Sequence, residues 1–327
     1  MNRSRSDRSS DLITYGNAAA AGLTDSLLRA HRDGRLVRVA RGGYVPAKNL
    51  LQGSASEQAA ALHERRVLAA ARRMTVPIFT GYSAIALCGL PIIGSWPEEV
   101  YVLSGTAHGK RRTGVVSLAR RHEVAVVEVG GLMMTPIEYS LIQRARTAPL
   151  RAALAAANAA CLRPRFAGGA GRTTPGDRPP LTTPARLRAE HERLLPYRCS
   201  RRVAAVLNRV RDNAESTLET LSDVLIDELG FATALHQVRI ALPSGGDAFL
   251  DFYWEQPGIA GEADGESKYR SAATGGDAAQ RVIDEKYRED EIRSQVSALV
   301  RWNWQDCWQR SRLEAKLLRA GVPRVHR

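Results

Sequence analysis

The sequence predicts a multidomain protein of mixed α/β and α+β class. It has an N-terminal winged helix-turn-helix, a middle α+β domain and a C-terminal α/β domain. Three observations carry this. Residues 11–50 read as helix, turn, helix and basic hairpin. Residues 163–185 lose all periodicity and are rich in Gly, Pro, Thr and Arg, as a domain boundary would be. Residues 212–327 read as helix, three strands, helix, strand, helix. A chain of 327 residues supports two or three cores, and 44% apolar with 25% charged residues argues against wholesale disorder.

Residues 1–10 are polar and charged and read as a disordered tail. Asp11 is suited to cap a first helix carrying Leu12, Ile13 and the alanines 18–21, which Gly22 ends. Thr24 is suited to cap a second helix running to Arg32, with Leu23, Leu27 and Leu28 inward. Asp33-Gly34 turns the chain. Residues 35–41 alternate basic and apolar side chains, the period of a strand, and Gly42-Gly43 returns it through Tyr44-Val45. The middle domain, 51–162, predicts helices over 55–73, 83–90, 136–146 and 147–162. Its predicted strands are 76–79, 100–103, 115–118 and 124–129, with a basic loop over 108–112. Residues 163–211 form a basic linker with a helix over 186–211. In 212–327 the helices are 218–229, 284–297 and 307–320; the strands are 237–242, 249–254, 258–263 and 299–304.

The formal charge of +13 is not evenly spread. Residues 1–50 hold 9 basic and 4 acidic side chains, 51–150 hold 11 and 7, and 151–211 hold 13 and 3. Residues 212–327 reverse the balance, with 14 and 20. A basic field concentrated in the first two thirds points to a polyanion, and with a winged helix to double-stranded DNA. The second helix would enter the major groove with Thr24, Ser26, Arg29 and Arg32. In the hairpin, strand alternation would send Arg35 and Arg41 to one face and Arg38 to the other, with the wing tip on phosphate or minor groove. Lys110, Arg111 and Arg112 would add phosphate contacts from a second basic loop.

Other classes find little support. There is no run of 18 apolar residues and no signal-peptide core at the N-terminus. Cys88, Cys161, Cys199 and Cys307 form no CxxC pair, and the seven histidines show no HxxxH spacing. No P-loop or strand-linked GxGxxG is present. The expectation is a cytoplasmic protein with no membrane partner and no nucleotide cofactor; the oligomeric state is not encoded in any of these features.

The chemistry-bearing residues cluster in the C-terminal domain. Asp251 interrupts an apolar strand, and Glu262 and Asp264 share one face of the next, with Lys268 four residues on. Glu215 and Glu219 lie one helical turn apart on the preceding helix. Carboxylates on adjacent strands are costly unless paired or bound to a cation, and hard oxygen donors suit Mg²⁺ or Mn²⁺. Such an ion would activate water against a phosphodiester, with Lys268 stabilising charge. The same residues also read as a solvated strand end closed by a salt bridge.

Taken in order, Ala214-Glu215-Ser216-Thr217-Leu218-Glu219, Gln237-Val238-Arg239-Ile240, Asp251-Phe252, Glu262-Ala263-Asp264-Gly265, Lys268-Tyr269, Arg288-Glu289-Asp290 and Val300-Arg301-Trp302 resemble a known set. It is that of proteins related to very-short-patch-repair endonucleases, of the PD-(D/E)XK restriction-endonuclease-like fold. The resemblance spans about residues 212–322. It implies Asp251 and Glu262 as metal acids binding Mg²⁺ or Mn²⁺, Glu219, Asp264 and Lys268 in the catalytic set, and Glu215 and Gln237 as auxiliaries. The chain departs from the plain motif: Asp264 stands where a lysine is usual, and Lys268 is the displaced candidate. Ala20-Ala21-Gly22-Leu23-Thr24, Gly34-Arg35-Leu36-Val37-Arg38-Val39 and Arg41-Gly42-Gly43-Tyr44-Val45 resemble the winged helix of AbiEi-type antitoxins, transcriptional repressors of type IV toxin–antitoxin systems. Ser83-Ala84, Gly89-Leu90-Pro91 and Thr135-Pro136 resemble the second domain of the same proteins. Together these imply a DNA-binding protein with a candidate endonuclease domain in a toxin–antitoxin or phage-defence setting. The alternative is a repressor or antitoxin whose nuclease-like domain is inactive and binds DNA, a cognate toxin or another protein.

Overall fold

A computed structural model describes residues 11–163, 179–265 and 278–325. The chain divides into two compact units, 1–160 with 181–210 and 161–180 with 211–327. Both mix helix and sheet, which agrees with a multidomain α/β and α+β architecture.

The first unit opens with β1 (Ile13–Thr14), α1 (Tyr15–Ala20) and α2 (Thr24–Arg32), then the hairpin β2 (Leu36–Ala40) and β3 (Gly43–Pro46). The three strands form one sheet in the order β1-β3-β2. Thr14, not Asp11, caps α1: its hydroxyl accepts the Asn17 N–H at 3.1 Å. Asp11 instead accepts from Asn49 at 2.8 Å and lies 3.7 Å from the buried Arg65 guanidinium. Thr24 is the first residue of α2, and its N-cap is Leu23, which makes no side-chain cap.

The hairpin turns through Gly42 at φ +69°, a left-handed backbone that glycine adopts without strain. A bulge between Arg38 and Ala40 interrupts the pairing, so simple alternation does not carry from Arg38 to Arg41.

The rest of this unit is α3 (Ala55–Ala71), α4 (Gly81–Leu87), β4 (Val100–Leu103), β5 (Lys110–Arg112), β6 (Val115–Leu118), β7 (Val127–Val129) and β8 (Leu132–Met134). After them come α5 (Ile137–Ala145), α6 (Leu150–Cys161), α7 (Pro184–Leu194) and α8 (Ser200–Leu207). Helix α3 starts at a full capping box, Ser54 with Glu57. It serves two cores at once. Ala69 packs with Leu12, Val39, Val45 and Leu50, while Val67 and Ala70 pack with Phe79, Val100, Val102 and Met134. The N-terminal segment through β3 and the following α+β segment are therefore joined through one helix.

Three local expectations change. Residues 76–79 form no strand; Phe79 alone makes single bridges to Val102 and Met134. Residues 110–112 are not loop but an exposed strand, antiparallel to β6. The single helix expected over 186–211 is instead two, α7 and α8, interrupted at residues 195–199, and residues 181–210 belong to the first unit.

The second unit holds α9 (Thr217–Glu228), β9 (Leu235–Ala241), β10 (Asp247–Trp254), β11 (Ile259–Ala263), α10 (Ala278–Arg293), β12 (Ala298–Trp302), α11 (Trp304–Trp308) and α12 (Arg310–Ala320). Its sheet runs β12-β11-β10-β9. Strands β9, β10 and β11 are successively antiparallel, and β12 lies parallel to β11. The parallel step requires a crossover, and α10 lies in it. Along β10 the buried Ala248, Leu250, Phe252 and Trp254 alternate with the half-buried Phe249, Asp251 and Tyr253. Period 2 thus sets Asp251 on the face opposite the packed aromatics.

Trp302 is buried, packs at a tilt against Phe252 with ring centroids 5.1 Å apart, and donates from its indole to Ser222 at 2.7 Å. Trp304 and Trp308 stack on each other at 6.0 Å. Gly261 sits under Trp302: a Cβ there would come within 2.6 Å of the indole ring. Burial of Trp302 and its bond to Ser222 resist displacement of the ring. Gly261→Ala is expected to destabilise the second unit by about 3 kcal/mol or more, read by urea denaturation. An unchanged midpoint would mean that the ring is free to move.

Candidate functional site

The acids of the second unit form one row across its sheet. Val238 pairs with Leu250 and His236 with Phe252, so Gln237 stands beside Asp251. Phe252 pairs with Gly261, and continuing that register sets Asp251 opposite Glu262. Glu262 in turn pairs with Arg301. Gln237, Asp251, Glu262 and Arg301 therefore come one from each strand, from four separated stretches of sequence.

Gln237 is the irregular member. Its φ is +56°, an uncommon backbone for a residue with a side chain and one found preferentially at functional positions. That twist lets its amide donate to two acids, Glu219 at 3.0 Å and Asp251 at 3.3 Å. Asp251 also accepts the Ala263 N–H at 3.0 Å, which ties the acid to the end of β11.

Glu219 projects from the first turn of α9, where Ser216 caps the helix and accepts the Glu219 N–H at 3.0 Å. Its carboxylate accepts the Glu215 N–H at 3.0 Å. Glu215 itself precedes the helix, so the two glutamates do not stack as i and i+4 on one helical face; they are joined through main chain.

Burial raises Glu219 above the ordinary glutamate range, against the lowering effect of its bonds from Ser216, Glu215 and Gln237. Burial also raises Glu262. Arg301 and Arg288 oppose that rise, while Asp251 and Asp264 add to it. A carboxyl whose folded pKa lies above its unfolded value favours folding when protonated. That stability is present at low pH and lost as pH rises through the folded value. Glu219→Gln is therefore expected to raise the melting temperature near pH 8 and to gain progressively less towards pH 4. A melting temperature lowered by the same amount at both pH values would show that the two accepted hydrogen bonds, not the charge, decide the effect.

Arg301 is the site residue that the sequence reading did not assign. Its guanidinium lies 2.7 Å from Glu262, 2.8 Å from Asp264, 3.4 Å from Glu285 and 2.5 Å from Glu289. Burial alone would lower its pKa, but Glu262, Asp264 and Glu289 outweigh this and raise it. Glu285 and Glu289 come from one face of α10, spaced i and i+4. A signal for Arg301 was present: between Val300 and Trp302, period 2 turns it to the face opposite the buried Trp302. Asp264 follows β11 directly and shares Arg301 with Glu262, as their spacing by two residues suggests. Lys268 lies outside the described residues.

Among the described residues, no three His, Cys, Asp or Glu side chains group closely enough to hold a metal ion by themselves. The donor set is two neighbouring carboxylates, Asp251 and Glu262, with Gln237 beside them. A magnesium-type ion can be held by one or two carboxylates with water and substrate oxygens, so Asp251 and Glu262 are the residues that would hold one. Such an ion would compete with Arg301 for Glu262.

The candidate DNA-binding residues of the first unit lie on its α2 and on or beside the β2–β3 hairpin. On α2, Ser26, Arg29 and Arg32 are exposed, Thr24 is half-buried, and Leu27 is buried as the inward anchor. Leu23 and Leu28, expected inward, are instead exposed. Arg35 pairs with Asp33 at 3.0 Å, and Arg38 donates to the Ala40 carbonyl at 3.3 Å. Arg41 is exposed at the hairpin turn. No described helix is long and apolar enough to cross a membrane. No family model, curated protein or solved structure matches this chain.

Proposed function

We propose that this is a double-stranded-DNA-binding protein whose C-terminal unit carries a candidate Mg²⁺- or Mn²⁺-dependent endonuclease site, acting in a toxin–antitoxin or phage-defence setting. The observation that carries the reading is the row Gln237, Asp251, Glu262 and Arg301, one residue from each strand of the sheet. The acids named from the resemblance to PD-(D/E)XK nucleases come together there, on an element order of helix, three antiparallel strands, helix and parallel strand.

In this reading Asp251 and Glu262 hold the ion. When bound, the ion stabilises charge on the phosphodiester and makes water acidic enough to attack near neutral pH. Gln237 orients Asp251 and Glu219 by donating to both. Glu219, raised by burial, is a group suited to hold or accept a proton beside the row. Arg301 opposes the rise that burial imposes on Glu262 and holds its carboxylate in place.

DNA recognition falls to the first unit. Its two-helix turn and hairpin support a winged-helix reading, with Ser26, Arg29 and Arg32 on the exposed side of α2 and Arg38 and Arg41 on the wing. Arg38→Ala with Arg41→Ala is expected to weaken duplex binding about tenfold. It should also lower the slope of log K against log salt by about two, one for each lost phosphate contact. A gel-shift series with unchanged affinity and slope would remove the wing from the interface.

The Arg301 clamp favours a second reading. A guanidinium already neutralises Glu262 and Asp264, so the unit could serve as a non-cutting module in an AbiEi-like repressor that binds DNA or a cognate toxin. Incubating the purified protein with supercoiled DNA in Mg²⁺ or Mn²⁺ decides between them. Metal-dependent nicking supports the endonuclease; intact DNA with retained binding supports the repressor.

A further inference from the structure

The wing does not stand alone on its side of the first unit. Beside it opens a cleft made of two adjoining hollows of about 380 and 700 Å³, which share Val39, Arg66, Glu98, Thr113 and Gly114. One wall is the β2–β3 turn, with Arg41. The facing wall is the β5–β6 turn, with Arg112. The floor is α3 and the turn after it, with Arg66 and Ala70 four apart on one face of α3 and Arg73 in the turn that follows.

The charge of this cleft is uncommitted. Arg41, Arg73 and Arg112 are exposed and make no ion pair with any described residue. Arg66 gives one hydrogen bond, to the Pro97 carbonyl at 3.4 Å. Arg111 and Glu99 pair with each other, which leaves Glu98 as the unpaired acid on the rim. The cations are strung along the cleft rather than gathered at one point. From Arg66 to the end of α3 at Ala71 the axis rises about 7 Å, and Arg73 lies in the turn beyond it. That is the rise of about two nucleotides of one DNA strand. A compact anion would use one end of such a track; a run of phosphates would use its length.

We propose that this cleft seats the phosphodiester backbone of one DNA strand as it leaves the wing, with the β5–β6 hairpin acting as a second wing. The proposal rests on the DNA-binding reading of the first unit. Arg41 stands at the junction, on both the wing and the cleft. Arg66, Arg73 and Arg112 then extend the footprint past the winged helix without reading bases. Glu98 limits how close the strand approaches the rim.

The test uses the full chain, a duplex of about 30 base pairs and salt titrations of the affinity. Arg73→Ala with Arg112→Ala touches neither α2 nor the first wing, and both side chains are exposed, so folding is retained and thermal melting checks it. The expected result is about tenfold weaker binding and a salt slope lower by about two, equally for unrelated duplex sequences. Hydroxyl-radical protection should shorten on one side only. Glu98→Gln should move affinity the other way, about two- to threefold tighter. If the double variant keeps parental affinity and slope while the Arg38/Arg41 variant loses both, the cleft proposal is overturned and the winged-helix reading stands. If the parent binds no duplex at low salt, both are overturned. Loss of fluorescent nucleoside triphosphate binding in the double variant, with duplex affinity unchanged, also overturns the strand proposal and assigns the cleft to a small phosphate ligand.

Discussion

Asp251→Asn and Glu262→Gln proteins are expected to lose metal-dependent DNA cleavage by about a thousandfold while keeping duplex affinity. Each removes one charged donor from a pair on adjacent strands, and the loss of a single transition-state charge contact costs on the order of 10²–10³ in rate. DNA affinity should persist because the basic surface lies in the other unit. Gln237→Ala should cost less, about 10–100-fold, because the amide orients Asp251 and Glu219 without itself being an anionic donor. Cleavage assays on supercoiled plasmid in Mg²⁺ and Mn²⁺, beside gel shifts on the same DNA, read both quantities. Equal cutting by parent and both variants would assign any nuclease activity elsewhere. An inactive parent with normal affinity would make the C-terminal unit a binding module.

Arg301→Ala is expected to produce the largest stability loss of any exposed-face substitution in the second unit, about 3 kcal/mol. Removing one partner of a buried ion pair costs about 3–5 kcal/mol because it strands the other charge. The lower end applies because the Arg301 side chain is 24% exposed, whereas that of Glu262 is 8% exposed. Without Arg301, the cation left beside Glu262 among the described residues is Arg288, at 3.9 Å. The sign with pH follows. Burial already raises Glu262, and removing the guanidinium removes the main opposing influence, so the folded variant favours the protonated acid still more. The deficit should therefore be greatest near pH 8 and shrink as pH falls through the raised folded value. Glu262→Gln in the Arg301→Ala background should restore most of the loss, a coupling measurable by a double-mutant cycle in urea. A deficit independent of pH and not relieved by Glu262→Gln would mean that the arginine acts through packing alone.

The elements of the second unit were largely legible because its strands follow a strong period. FLDFYW alternates buried and half-buried positions, and the Gly230 and Gly258 turns punctuate the chain at left-handed positions. Elements carried by few residues or by charged ones were not. Lys110–Arg112 has no apolar face, and its strand is set by pairing with β6. The 76–79 segment has the apolar composition of a strand, but only Phe79 finds strand partners. The cap of α1 went to Thr14 because Asp11 is held by Asn49 and lies near Arg65, partners remote in sequence.

The sequence by itself determined which chemistry each half carries. Basic side chains gather in the first two thirds, and carboxylates sit on strands in the last third, because residue type and local period are written in the chain. It also determined much of the order of helices and strands in the second unit, since turn residues and periodicity act over a few positions. Only the tertiary structure decided which of these side chains meet. Gln237, Asp251, Glu262 and Arg301 become neighbours through sheet register, and Arg41 and Arg73 come to line one hollow through the packing of the β2–β3 hairpin on α3. Register and packing are long-range: a shift of one residue turns a side chain to the other face, and what fixes it is burial of the whole sheet against its helices.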